Sequence, residues 1–129
     1  MKIVADENIP FVRDCFSSVG QVTTAAGSNI TAEVVKDAEI LLVRSVTKVN
    51  EALLAGSSVR FVATATIGTD HIDLDYLESQ NIGFASAPGS NANSVAEYIV
   101  AALLNLAQSR GIRLESSSIG IIGVGNVGS

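Results

Sequence analysis

The chain has 129 residues, with 8 Lys+Arg against 13 Asp+Glu and a formal charge of −5; at 47% hydrophobic and 16% charged it has ample apolar mass for a core and does not have the composition of a disordered chain. The acidic balance, without any Lys/Arg cluster, removes the attraction that carries non-specific nucleic-acid binding and adhesion to anionic membranes, so neither is an expected partner. No apolar run approaches the ~18 residues of a membrane span, and Met1-Lys2-Ile3-Val4-Ala5-Asp6 is too short for a secretory h-region, so the cytoplasm is the expected compartment.

In chain order, the first expected strand is Ile3-Val4-Ala5. Pro10 then opens a segment in which Val12, Phe16 and Val19 recur at helical spacing, with Asn8 as the expected cap and Gly20 as the stop. The single cysteine, Cys15, cannot form an internal disulfide, and its apolar neighbours Phe11, Val12 and Phe16 predict a small buried hydrophobe. Gln21-Val22-Thr23 is the second strand, Thr31-Ala32-Glu33-Val34 starts a second helix, and Ile40-Leu41-Leu42-Val43 is the third strand. Asn50-Glu51-Ala52-Leu53-Leu54-Ala55-Gly56 predicts a short helix ended by glycine. Phe61-Val62-Ala63-Thr64 is the fourth strand, followed by a helix whose acidic first turn, Asp73-Leu74-Asp75, suits the helix dipole. Gly83-Phe84-Ala85 is the fifth strand. Residues 94–109 predict the longest helix, with Val95, Ile99, Ala102, Leu103 and Leu106 as its apolar stripe. Several strands are apolar on both faces, as a parallel sheet covered on both sides requires, and the alternation of strand and helix implies right-handed crossovers in a doubly wound α/β sheet.

The last residues carry the sharpest motif. Ile119-Gly120-Ile121-Ile122, a sixth expected strand, runs straight into Gly123-Val124-Gly125-Asn126-Val127-Gly128. In a dinucleotide fingerprint the first glycine allows the tight turn, the second lets the backbone approach a pyrophosphate, and the third lets a helix pack close. The bland alternative is a fortuitous glycine-rich tail. The fingerprint also asks for an acidic residue about 20 positions further on, beyond Ser129.

Ligands of open parallel sheets gather outside the carboxyl ends of the strands, and three such ends carry chemistry. Arg44-Ser45-Val46-Thr47-Lys48 offers two cations and two hydroxyls, a cradle for phosphate or carboxylate, against the alternative of a solvated turn. Thr66-Ile67-Gly68-Thr69-Asp70-His71 offers hydroxyls and backbone N–H groups; the competing reading makes Asp70 and Asp73 helix caps and His71 a surface residue. One histidine with no second ligand nearby argues against a metal site. Ala87-Pro88-Gly89-Ser90-Asn91 leads into the long helix, where Asn91, Asn93 or Ser94 is the expected cap. A phosphoacceptor receiver module would share the sheet and use Asp6 and Glu7, but it also needs an aspartate after the third strand, where Arg44 and Ser45 stand.

Together, the blocks from Met1 to Asn8, Val43 to Asn50, Thr64 to Asp73, Ala87 to Ala92, Asn93 to Glu97 and Gly123 to Gly128 resemble the amino-terminal part of the D-isomer-specific 2-hydroxyacid dehydrogenases. The resemblance implies a flavodoxin-like substrate-binding domain over 1–93. Residues 94–129 would be a connecting helix and the first strand of an interrupted Rossmann domain. It implies NAD as cofactor, a small phosphorylated hydroxy acid as substrate and a cytoplasmic homodimer. By position, Ser45 and Thr66 match substrate-contacting residues of the family, while Gly123, Gly125, Asn126, Val127 and Gly128 match its cofactor contacts. The family's catalytic Arg, Glu and His fall beyond Ser129, and His71 is not that histidine, so the chain alone is expected to be inactive. Ser129 stands where relatives usually carry a basic residue, an ending that suggests a fragment or an interrupted frame. The alternative from another class is a stand-alone α/β binding module whose glycine tail is incidental.

Overall fold

A computed structural model describes residues 1–128, so the departure at Ser129 lies outside the described residues. The chain divides into two compact units, Met1–Ala87 and Pro88–Ser129.

The first unit is built on strands β1 (Lys2–Asp6), β2 (Gln21–Ala25), β3 (Ile40–Val43), β4 (Phe61–Thr64) and β5 (Gly83–Ala85). They form one sheet in the order β2-β1-β3-β4-β5, and every pair is parallel. Short helices α1 (Val12–Phe16), α2 (Ala32–Val35), α3 (Glu51–Leu54) and α4 (Leu74–Ser79) lie between the strands. Alternate residues of each strand point to opposite faces, and the core divides accordingly. Val4, Leu41, Val43 and Val62 face a large cluster with Val35 of α2, Leu53 and Leu54 of α3, and Leu77 of α4. Ile3, Ala5 and Leu42 face a smaller one with Val12 of α1. Both faces are covered, which is why the strand sequences are apolar without polar alternation.

Helix ends follow local chemistry. Asn50 caps α3, its Oδ1 accepting from the Leu53 N–H at 3.2 Å, and Gly56 beyond it takes φ +73°. Asp73 caps α4 through the Tyr76 N–H at 3.0 Å. The first helix differs from expectation. Its N-cap is Phe11, in the left-handed region, because Asn8 is engaged with the buried Asp6: the Asn8 backbone N–H donates to Asp6 Oδ1 at 2.9 Å and its side-chain amide at 3.2 Å. Gly20 is not a left-handed stop either. A Cβ there would collide with the Met1 carbonyl oxygen, which accepts from the Gln21 N–H at 2.9 Å, so the glycine permits close passage of two chain segments. Cys15 is exposed, since the five-residue α1 turns only Val12 fully inward.

In the second unit, α5 (Ala92–Arg110) starts two residues before the expected helix and ends on Gly111 at φ +64°, a left-handed C-cap. Asn91 is its N-cap residue by position but makes no side-chain cap bond. Residues 119–122, expected as a strand, are not one. A strand exists through its ladder, and among the described residues none pairs with this segment.

Candidate active site

At the carboxyl edge of the sheet, β3 and β4 run side by side, with Val43 opposite Thr64 and one further ladder bond from the Ala65 N–H to the Val43 carbonyl at 2.9 Å. The two chains therefore leave the sheet as neighbours, and the loops after them form one cleft of about 360 Å³, lined by Ser45, Val46, Lys48, Thr66, Gly68, Asp70 and His71. Ser45 and Thr66, singled out on separate strand ends, meet here. The loops are also joined by backbone: the Val49 N–H donates to the His71 carbonyl and the Asp73 N–H to the Val49 carbonyl, each at 2.8 Å, forming an isolated parallel bridge between Val49 and Ile72.

The side chains of the two loops serve different ends. Thr47, counted with Ser45 as a candidate ligand hydroxyl, is buried and donates to the Gly27 carbonyl at 2.9 Å, so it anchors the loop instead of facing a ligand. Arg44 is half-buried and does not line the cleft. Lys48 is exposed, lines the cleft, and has no ion-pair partner among the described residues. It is the cation available to an anionic ligand, with the exposed Ser45 hydroxyl beside it.

Across the cleft lies a hydrogen-bonded group that the sequence reading passed over. The buried Thr64 hydroxyl is 2.7 Å from the Thr66 hydroxyl and 3.1 Å from His71 Nε2, and the Thr66 hydroxyl is 3.2 Å from the Gly68 carbonyl. Desolvation holds the half-buried His71 imidazole below its ordinary value, partly countered by the Asp70 carboxylate. Thr64 closes β4 and Thr66 lies in the bend just after it, so the two hydroxyls meet through the turn of the chain. No group of three or more His, Cys, Asp or Glu suited to a metal occurs among the described residues.

The glycine motif belongs to the other unit. Gly123 adopts φ +90°, where a Cβ is strained. A Cβ on Gly128 would stand 2.5 Å from the Gly123 carbonyl oxygen, whereas one on Gly125 would meet nothing within 4 Å. The first and third glycines thus approach each other closely, with open space at the second. Asn126 and Val127 lie in a turn.

Residues 2–118 match the family described as D-isomer specific 2-hydroxyacid dehydrogenase, catalytic domain, and the chain belongs to that family. Among curated relatives it is 54% identical over 129 residues to an erythronate-4-phosphate dehydrogenase of Chromohalobacter salexigens, covering 100% of this chain and 34% of that protein. It is 57% identical over 128 residues to the enzyme of the same name from a Marinomonas species, covering 99% and 34%. The chain thus spans about a third of the length of these relatives. Among solved structures, an NAD+-bound 3-phosphoglycerate dehydrogenase of Entamoeba histolytica superposes with TM-score 0.70 at 27% identity, over 99% of this chain and 48% of that one. A D-lactate dehydrogenase of Aquifex aeolicus, complexed with NAD and lactic acid, also gives 0.70, at 24% identity and over 99% and 46%; its likeness bears on the fold. No helix among the described residues is long and apolar enough to cross a membrane.

Proposed function

We propose that the 129 residues are the substrate-side portion of an NAD-dependent oxidoreductase that oxidises 4-phospho-D-erythronate at its C2 hydroxyl, giving 3-hydroxy-2-oxo-4-phosphobutanoate on the route to pyridoxal 5′-phosphate. Residues 1–93 serve as the substrate-binding domain, and residues 94–129 as the connecting helix and the opening of the nucleotide domain. NAD, when bound, supplies the acceptor for the C2 hydride; Gly123, Gly125, Asn126, Val127 and Gly128 are the residues that would approach its pyrophosphate. The parent enzyme works as a cytoplasmic homodimer.

The observation that carries this reading is the meeting of Ser45 and Thr66 in one cleft with Lys48, which has no ion-pair partner among the described residues. A phosphorylated hydroxy acid has anionic ends that suit the Lys48 ammonium and Ser45 hydroxyl, and a row of hydroxyls that suits Thr66. Relatives at 54% and 57% identity bearing the erythronate-4-phosphate dehydrogenase name support the choice of this particular substrate. The acid/base step belongs to residues outside these 129, so the chain by itself forms no NADH from the substrate.

Calorimetric titration of the chain with 4-phospho-D-erythronate tests the site. Ser45→Ala and Thr66→Ala are each expected to weaken binding about tenfold, the worth of one hydrogen bond to a charged or well-placed partner. Unchanged affinity in both would remove the assignment.

A further inference from the structure

The hydroxyls of Thr64 and Thr66 form a chain with His71. The arrangement that gives the Gly68 carbonyl a donor directs the single proton of Thr66 Oγ1 to it, at 3.2 Å. Thr64, 2.7 Å from the same oxygen, must then be the donor of that bond. With its own proton committed, the Thr64 oxygen is left as an acceptor, for the Thr66 backbone N–H at 3.4 Å and for His71 Nε2 at 3.1 Å. In this arrangement His71 carries its proton on Nε2, and the protons run in one direction, from imidazole to Thr64 to Thr66 to the loop carbonyl. Thr64 is 5% exposed, so water does not compete for its hydroxyl. Thr66 is half-exposed and lines the cleft. Of its two lone pairs one receives the Thr64 proton, and the other is left over.

We propose that His71 is a positioning residue which, through the Thr64 hydroxyl, fixes Thr66 Oγ1 as a hydrogen-bond acceptor toward the cleft, so that Thr66 reads a hydroxyl of the ligand and not an anionic oxygen. The inference deepens the reading of the cleft as a hydroxy-acid site and rests on it. It gives the cleft two chemically distinct walls. Lys48 and Ser45 donate, and take carboxylate or phosphate oxygen. Thr66 accepts, and a carboxylate or phosphate oxygen placed against it would meet lone pair with lone pair. A ligand with anionic ends but no hydroxyl gains nothing at Thr66, which makes this residue a discriminator between hydroxylated and plain acids.

The sequence contains one histidine, so long-range proton–nitrogen correlation spectra of the full chain report His71 alone. The neutral ring is expected as the Nε2–H tautomer. Thr64→Val keeps the branched shape, removes the acceptor and is expected to give a mixture of tautomers; Thr64→Ser restores the wild-type spectrum. A dominant Nδ1–H tautomer in the wild type would mean the protons run the opposite way and would overturn the proposal.

The ligand half is read by titrating 4-phospho-D-erythronate against 4-phosphooxybutanoate, which keeps both anionic groups and lacks the hydroxyls. Thr66→Val is expected to weaken the first about tenfold and leave the second unchanged, and equal losses on both probes count against it. His71→Gln, still able to donate to Thr64, should retain the preference for the hydroxylated probe, while His71→Leu should reduce it; identical behaviour of these two variants denies His71 the role. If neither probe binds the wild-type chain, the substrate-site reading fails together with the ligand half, and the tautomer spectrum still decides the direction of the hydrogen-bonded chain.

Discussion

The sheet unit and the helix–glycine unit contain the same kinds of apolar residue and put them to different use. Every buried apolar residue among the described residues lies between Ile3 and Leu77, in strands and in the short helices that cover them. In α5 and the segment after it, Tyr98, Val100, Leu104, Ile122 and Val124 are all exposed. Apolar content is thus not itself a core. Five strands with helices on both faces supply two layers against which a side chain is enclosed from all directions, whereas a single helix and a glycine turn supply one layer and no opposing surface.

The largest expected effect is in native-state hydrogen exchange. Amides of β1, β3 and β4 should open only with global unfolding, at about 5–15 kcal/mol for an ordinary domain, while residues 118–128 should exchange close to the unprotected rate. Protection of the two segments by equal amounts would erase the contrast. Next comes Leu41→Ala in the centre of the sheet, fully buried, expected to cost about 2–5 kcal/mol in urea denaturation. The matching Leu104→Ala, 56% exposed in α5, should stay within about 0.5 kcal/mol.

Glycines sharpen the same comparison at a smaller scale. A Cβ on Gly27 would run into Val46 Cγ2 and Asp6 Oδ2, so Gly27→Ala is expected to cost about 1–3 kcal/mol by overpacking. Gly125→Ala meets open space and should leave the melting temperature unchanged. The smallest effect is the pH dependence carried by His71. Its folded value lies below 6.5 through burial, so between the two values the unfolded chain binds more protons than the folded one. Stability should therefore fall as pH drops through 6.5 toward the folded value, and His71→Gln should remove that slope from a denaturation series.

Much of the sheet was legible because each strand is short, apolar on both faces and followed by a turn or cap. The five strands of the sheet, the Asp73 cap and the glycine after α3 all follow from local chemistry. The failures share a cause. Asn8 was read as a cap and is held by Asp6, Gly20 was read as a stop and is a passage for Met1, and Thr47 was read as a ligand group and anchors to Gly27; each choice is made by a partner distant in sequence or by a competing side chain. Cys15 was assigned to the core by its neighbours, but a helix of one and a half turns has too narrow an inner face to include it. Residues 119–122 have strand composition without a ladder. In the cleft, Ser45 and Thr66 could be named from the strand ends, but their meeting depends on β3 and β4 being adjacent, and the Thr64 relay depends on His71 returning from five residues beyond Thr66.

The backbone bridge between Val49 and Ile72 has a mechanical consequence. Because the His71 carbonyl and the Asp73 N–H are both tied to Val49, the loops after β3 and β4 form a single braced frame, fastened at one end by the sheet and at the other by the latch. A displacement of either loop therefore has to move Val49 and Ile72 together, so Ser45 and Thr66 stand on two loops that share one backbone tie. Changing the separation of the two loops would require changing where the bridge closes, and not only which side chains face the opening.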